Sequence, residues 1–254
     1  MRHATLCLLA AMLAVGCNAP KPAATTAAAK PTPASEAGAA VATLAATRDA
    51  RVMFYPNEAE FNGGGSDYLR ASNINGNGAE CGIVDFDRTA LKAALAKNQG
   101  KTVTVTLKLT VRDVILHPSG TLRVVALDTA SDWTEGNKSW SKADKGQCCA
   151  KAARFDEKPW TTADGKEVAT LRDLFFDIST RKEHALANQN PLLINATDKG
   201  KTVSVVLQPR FVEHLANDPA CKGIVLFTHD EGVLLDVDSR EKGHAGPTLT
   251  ISVK

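Results

Sequence analysis

Residues 103 to 111 read VTVTLKLTV, alternating valine or leucine with threonine or lysine. Successive side chains of an extended strand point to opposite faces, so this run gives one apolar face and one wet face. A helix would scatter the same residues around its circumference. Such a strand needs partners, and short runs bounded by Gly, Asn, Asp or Pro recur along the chain. They are Tyr68–Ser72, Gly82–Phe86, Leu122–Leu127, Leu174–Ile178, Leu192–Asn195, Val203–Gln208, Gly223–Thr228, Val233–Val237 and Thr248–Val253. Their spacing predicts an all-β, antiparallel β-sandwich of the jelly-roll kind rather than a parallel α/β sheet. Two short helices are expected as covers over its ends. Asp87 is placed to cap Arg88–Lys97, and Pro209 to open a second helix through Leu215.

The first 48 residues have a different character. Met1–Arg2–His3 gives a short positive start, and Ala4 to Val15 is an apolar run of twelve, too short to span a bilayer as a helix. It leads through Leu13–Ala14–Val15–Gly16 into Cys17, which resembles the lipobox of bacterial lipoproteins, with Ala14 where leucine is more usual. That resemblance implies a signal peptide over residues 1–16 and acylation of Cys17, a stable membrane anchor once two or more chains are attached. Asn18 is not the aspartate associated with inner-membrane retention, so the outer membrane is the expected location. Residues 17–48 are rich in Ala, Pro and Thr and precede the first aromatic, Phe54. They read as a disordered tether, with too little apolar surface to offset the entropy of ordering. Residues 49–254 remain for one domain.

Beyond Cys17, the mature chain has Cys81, Cys148, Cys149 and Cys221. In an oxidising compartment an even number predicts two disulfides. Neighbouring cysteines rarely bridge each other. Two connectivities remain, with Cys148 and Cys149 each taking one of Cys81 and Cys221. There is no C-x-x-C, and the histidines show no zinc-ligand spacing, so no metal site is expected from these residues.

Four segments resemble the DNRLRE domain, a family related to the family-96 carbohydrate-binding modules. They are Gly65–Arg70 with Gly82–Asp87; the strand Val103–Leu109; Trp133–Thr134–Glu135 with Ser139–Trp140; and Gly223–Leu226, Ser239–Arg240–Glu241 and Pro247–Ile251. Residues 142–158 and 179–200 look like insertions. The resemblance implies a β-jelly roll over about residues 50–254, in which Trp133 and Trp140 are structural. It also implies recognition of acidic polysaccharides such as alginate, with basic side chains meeting carboxylates. The candidate ligand residues are Tyr68, Arg70, Trp160, Arg240, Lys242 and His244. They would share one surface if the strand carrying Tyr68 lies beside the last strand.

No nucleophile elbow, H-E-x-x-H or phosphate-cradling loop is present, so an enzyme is not expected. A net charge of +2 gives no case for nucleic acid. No cofactor is expected, although Asp236 and Asp238, projecting to one strand face, are compatible with a structural calcium ion. The expected function is non-catalytic carbohydrate binding by an envelope-anchored lipoprotein. The alternative is a structural or adhesive lipoprotein whose sandwich binds another envelope protein.

Overall fold

The computed structural model describes residues 38–74, 79–188, 190–243 and 246–254. The expected signal peptide, Cys17, most of the expected tether and His244 lie outside the described residues. The strands are β1 (Ala39–Met53), β2 (Phe61–Asn62), β3 (Tyr68–Ser72), β4 (Glu80–Phe86), β5 (Val103–Ile115), β6 (Ser119–Asp128) and β7 (Ser141–Lys142). They continue with β8 (Ala152–Arg154), β9 (Lys158–Pro159), β10 (Leu192–Asn195), β11 (Thr202–Val206), β12 (Cys221–Phe227), β13 (Leu234–Asp238) and β14 (Thr248–Val253). The main order is β1-β14-β5-β13-β3-β4-β12-β6-β10, with β11 also on β5, and every pairing is antiparallel. This is the antiparallel β-sandwich that the alternating runs imply.

Two long strands close it. The first half of β1 pairs with β14 and the second half with β4, with an irregularity between Ala46 and Arg48. β5 pairs with β14 over Val103–Lys108 and with β13 over Val111–Ile115. Residues 39–48, expected from composition to belong to a tether, are strand. Alanine is a poor strand former, but Leu44 and Ala46 pack on the core, and neighbouring strands supply the hydrogen bonds.

The inner core is built from the apolar faces of both layers. Val105, Leu107, Leu109 and Val111 of β5 meet Leu122, Val124, Val84 and Ile224 from the opposite strands. Helix α1 (Arg88–Lys97) contributes Leu91, and α2 (Pro209–Asn217) contributes Phe211, Val212 and Leu215. Asp87 accepts from the Ala90 N–H at 3.0 Å, the cap expected from the sequence.

A second core covers the outer face of β4, β12 and β6. Ile83, Val125, Leu127, Val225 and Phe227 pack there against Trp133, Ala150, Trp160, Leu171 and Phe175 from the long excursion between β6 and β10. Strands buried on both faces become continuously apolar, which accounts for the GIV and VVAL runs. The expected strand Leu174–Ile178 is not one. Leu171–Leu174 and Ile178–Thr180 are 3-10 turns, and Phe175 between them fills the second core against Phe227, with centroids 5.1 Å apart.

The expected disulfides are also corrected. All four cysteines are free, buried thiols. Cys81 and Cys148 join the second core, Cys221 faces the inner core, and Cys149 sits in a separate pocket with Ala143 and Ala152. Cys221 is thus parted from the Cys148–Cys149 pair, and its thiol turns to its own strand, donating to the Gly223 carbonyl at 3.5 Å.

Candidate functional site

Three consecutive glycines start the site. A side chain at Gly64 or Gly65 would strike the carbonyl oxygen of Glu135 or Asn137, so only glycine lets the loop after Trp133 lie on this segment, and one at Gly63 would strike the Arg51 carbonyl of β1. The buried Asn62 amide fixes that loop. Its Nδ2 donates to the Glu135 and Cys148 carbonyls at 2.6 and 2.9 Å, while Oδ1 accepts from the Gly64 and Lys138 N–H groups. Ser66 Oγ donates to the Ser139 carbonyl at 2.8 Å, and Ser239 Oγ donates to the Ser66 carbonyl at 2.6 Å. The segments GGGSDY, WTE…SW and SRE, far apart in sequence, thereby interlock.

The loop carries Trp140 over the buried Arg51 guanidinium, 4.3 Å from the ring centroid. Arg51 lies 4.7 Å from the Tyr68 ring, and Arg112 lies 4.9 Å from the same ring. Aromatic rings and guanidinium groups therefore alternate in the series Trp140, Arg51, Tyr68, Arg112. Trp140 remains 45 % exposed, while Trp133 and Trp160 are 1 % and 0 % exposed.

Period two places Tyr68 and Arg70 on one face of β3, and the adjacent β13 presents Asp236 in register with Arg70. Arg70 grips Asp236 through two 2.7 Å hydrogen bonds. This pairing raises the arginine's pKa even though burial works against its charge. Arg51 donates to both Glu80 and the Tyr68 hydroxyl. Burial raises the Glu80 carboxyl despite the neighbouring Arg51 and Arg70. At the far end, Arg112 pairs with Asp67 at 2.7 Å and Lys242 lies 3.9 Å from the same carboxylate.

Arg240 belongs to a separate knot. Its guanidinium donates to Glu135 Oε2 at 2.5 Å, and its backbone N–H donates to Asp49 Oδ2 at 2.8 Å. Burial, helped by the charge of Glu135, pushes the Asp49 pKa up to about 7, against the lowering effect of Arg240. The folded protein thus holds this proton more tightly than the unfolded chain. The resulting stabilisation is complete below pH 3.8, the ordinary value, and is lost as pH rises towards 7. Asp49→Asn is expected to flatten thermal stability over that window and to raise it at alkaline pH by about 1–2 kcal/mol. Melting curves across pH check this.

The structure brings together Tyr68, Arg70 and Lys242 of the anticipated residues. Arg240 lies on the same side through Ser239 but is spent on carboxylates. The strand carrying Tyr68 neighbours β13 and β4 instead of the last strand, which pairs with β1 and β5. Trp160 is corrected: it is wholly buried, donates to the Cys149 carbonyl at 2.8 Å, and belongs to the second core. Trp140 is the exposed aromatic, and Arg51 and Arg112 complete the group. No sequence signal marked Arg51, because its partners come from three other segments. Asp236, compatible with calcium on sequence grounds, is neutralised by Arg70. No protein-family model and no curated protein matches the chain. The resemblance to the DNRLRE domain rests on the motifs quoted above.

Proposed function

We propose that this protein is a lipid-anchored, non-catalytic glycan-binding protein of the cell envelope. The observation that carries the reading is Trp140: a tryptophan held open to solvent, with its inner side resting on a buried guanidinium. An indole fixed in this way costs little further entropy when a pyranose ring stacks on it. Arg112, Asp67 and Lys242 provide hydrogen-bonding groups at the other end of the series. Arg70 and Arg240 already hold carboxylates, so their charge is not available to capture a uronate without breaking those pairs. Recognition therefore rests on the sugar's ring face; Arg112 is likewise held by Asp67, and Lys242, 3.9 Å from that carboxylate, is the less committed cation at the rim. The lipobox-like Leu13–Cys17 segment supports anchoring through Cys17.

Affinity electrophoresis of the protein through gels containing alginate, pectin or neutral glucans tests the reading. Retardation by one polymer class is expected. Trp140→Ala should weaken it about 30-fold, the loss of about 2 kcal/mol typical of an anchoring aromatic. The melting temperature should hardly move, since the side chain is half exposed. Absence of retardation by every polymer, with capture of an envelope protein instead, would favour the docking role and overturn the proposal.

A further inference from the structure

A second cluster stands apart from the aromatic series and uses none of its elements. Asp128 ends β6, His214 lies on α2, and His184 sits in the 3-10 turn Glu183–Ala185 within the excursion. Their ligand atoms all lie within 4.8 Å of one another. They border a cavity of about 300 Å³, which Arg181, Asp218 and Ala220 also line.

The orientation of His214 is what distinguishes the cluster from a chance meeting. Its Nε2 faces Asp128 Oδ1 at 2.7 Å, while Nδ1 faces Asp218 Oδ2 at 3.3 Å. A carboxylate behind the ring holds it with one nitrogen turned to the cluster, the arrangement that fixes tautomer and direction in metal-bound histidines. His214 is only 9 % exposed, so its rotamer is also fixed by packing. His184, on its short turn, packs against it, with ring centroids 4.4 Å apart. A second observation concerns Arg181. Its side chain is 92 % buried, Nη1 lies 3.9 Å from Asp128 Oδ2, and Nη2 has no hydrogen-bond partner among the described residues. A buried donor left unsatisfied in this way is costly, and the residue that carries it also lines the cavity.

We propose that Asp128, His184 and His214 form a binding site for a divalent, zinc-class metal ion, with a further coordination position open to the cavity. Two imidazoles and one carboxylate suit zinc and its neighbours and disfavour calcium and magnesium, which prefer oxygen. Tetrahedral bonds of about 2.0–2.1 Å separate ligand atoms by roughly 3.3 Å. The 2.7 Å Asp128–His214 contact must therefore open slightly, with the ion replacing the shared proton. Arg181, which lines the same cavity, adds positive charge beside that open position and favours an anionic co-ligand there.

The test is equilibrium dialysis of the chelator-stripped, full-length protein against Zn²⁺, with Co²⁺ spectra in parallel. One equivalent should bind, and the Co²⁺ spectrum should lack a thiolate charge-transfer band, which separates this site from the cysteines. His184→Ala, at the more accessible ligand, should abolish stoichiometric binding without unfolding the protein, and Asp218→Asn should weaken it about 10-fold. Binding unchanged in His184→Ala, a thiolate band, or no binding by the folded wild-type protein would each overturn the proposal.

Discussion

Arg51→Met is expected to destabilise the domain by about 3–5 kcal/mol, because it leaves the Glu80 carboxylate buried without its closest counter-charge. Glu80 is 3 % exposed and Arg51 1 % exposed, so water cannot take over the lost interaction. The remaining cation, Arg70, stands 3.9 Å from Glu80 and is already committed to Asp236. Urea unfolding followed by circular dichroism measures the loss. The double variant Arg51→Met/Glu80→Leu removes both charges and leaves the Arg70–Asp236 pair intact, so it should cost clearly less than the single change. A single-variant loss below about 1 kcal/mol would mean that the pair is not buried as described.

Trp160→Ala should cost a similar 3–5 kcal/mol, by a different route. Here the loss is packing: Trp160 fills the second core against the outer face of the β4–β12–β6 layer, and its Nε1 donates to the Cys149 carbonyl. Trp160→Phe keeps much of the volume but leaves that carbonyl unpaired, so an intermediate loss is expected. Glycan binding should survive Trp160→Phe, since the residue takes no part in the exposed aromatic surface. Loss of binding in a folded Trp160→Phe protein would contradict its placement in the core.

What could be read from the sequence follows from where each pattern gets its cause. The VTVTLKLTV strand declares itself because one face is wet and one is dry, and β5 runs through it. Gly223–Thr228 declares itself by a continuous apolar run, but not the reason, which is a second core on the far face supplied by Trp133, Trp160 and Phe175 of the distant excursion. β1 is hidden in the sequence because its alanines, poor strand formers, dilute the signal of its few valines and threonines, and its hydrogen bonds come from β14 and β4. Leu174–Ile178 misled because a short apolar run fits a buried turn as well as a strand. For the site, period two put Tyr68 and Arg70 on one face. What each faces is set by cross-strand register and loop packing, and neither is local. Trp140 and Trp160 both lie in loops, and only the tertiary structure shows that one is open and the other enclosed. His184 and His214 meet for the same reason, through the docking of a turn on α2 that no ligand spacing in the sequence announces.

The most direct measurement of the central claim is limited oxidation of the protein by N-bromosuccinimide, mapped by peptide mass. Trp133 and Trp160, enclosed in the second core, serve as internal references. In the absence of ligand Trp140 should react first. A polysaccharide that retards the protein should shield Trp140 specifically while leaving the order of the other two unchanged. Trp140 oxidised at the same rate with and without a saturating, retarding polysaccharide would show that the sugar binds elsewhere and would contradict the account.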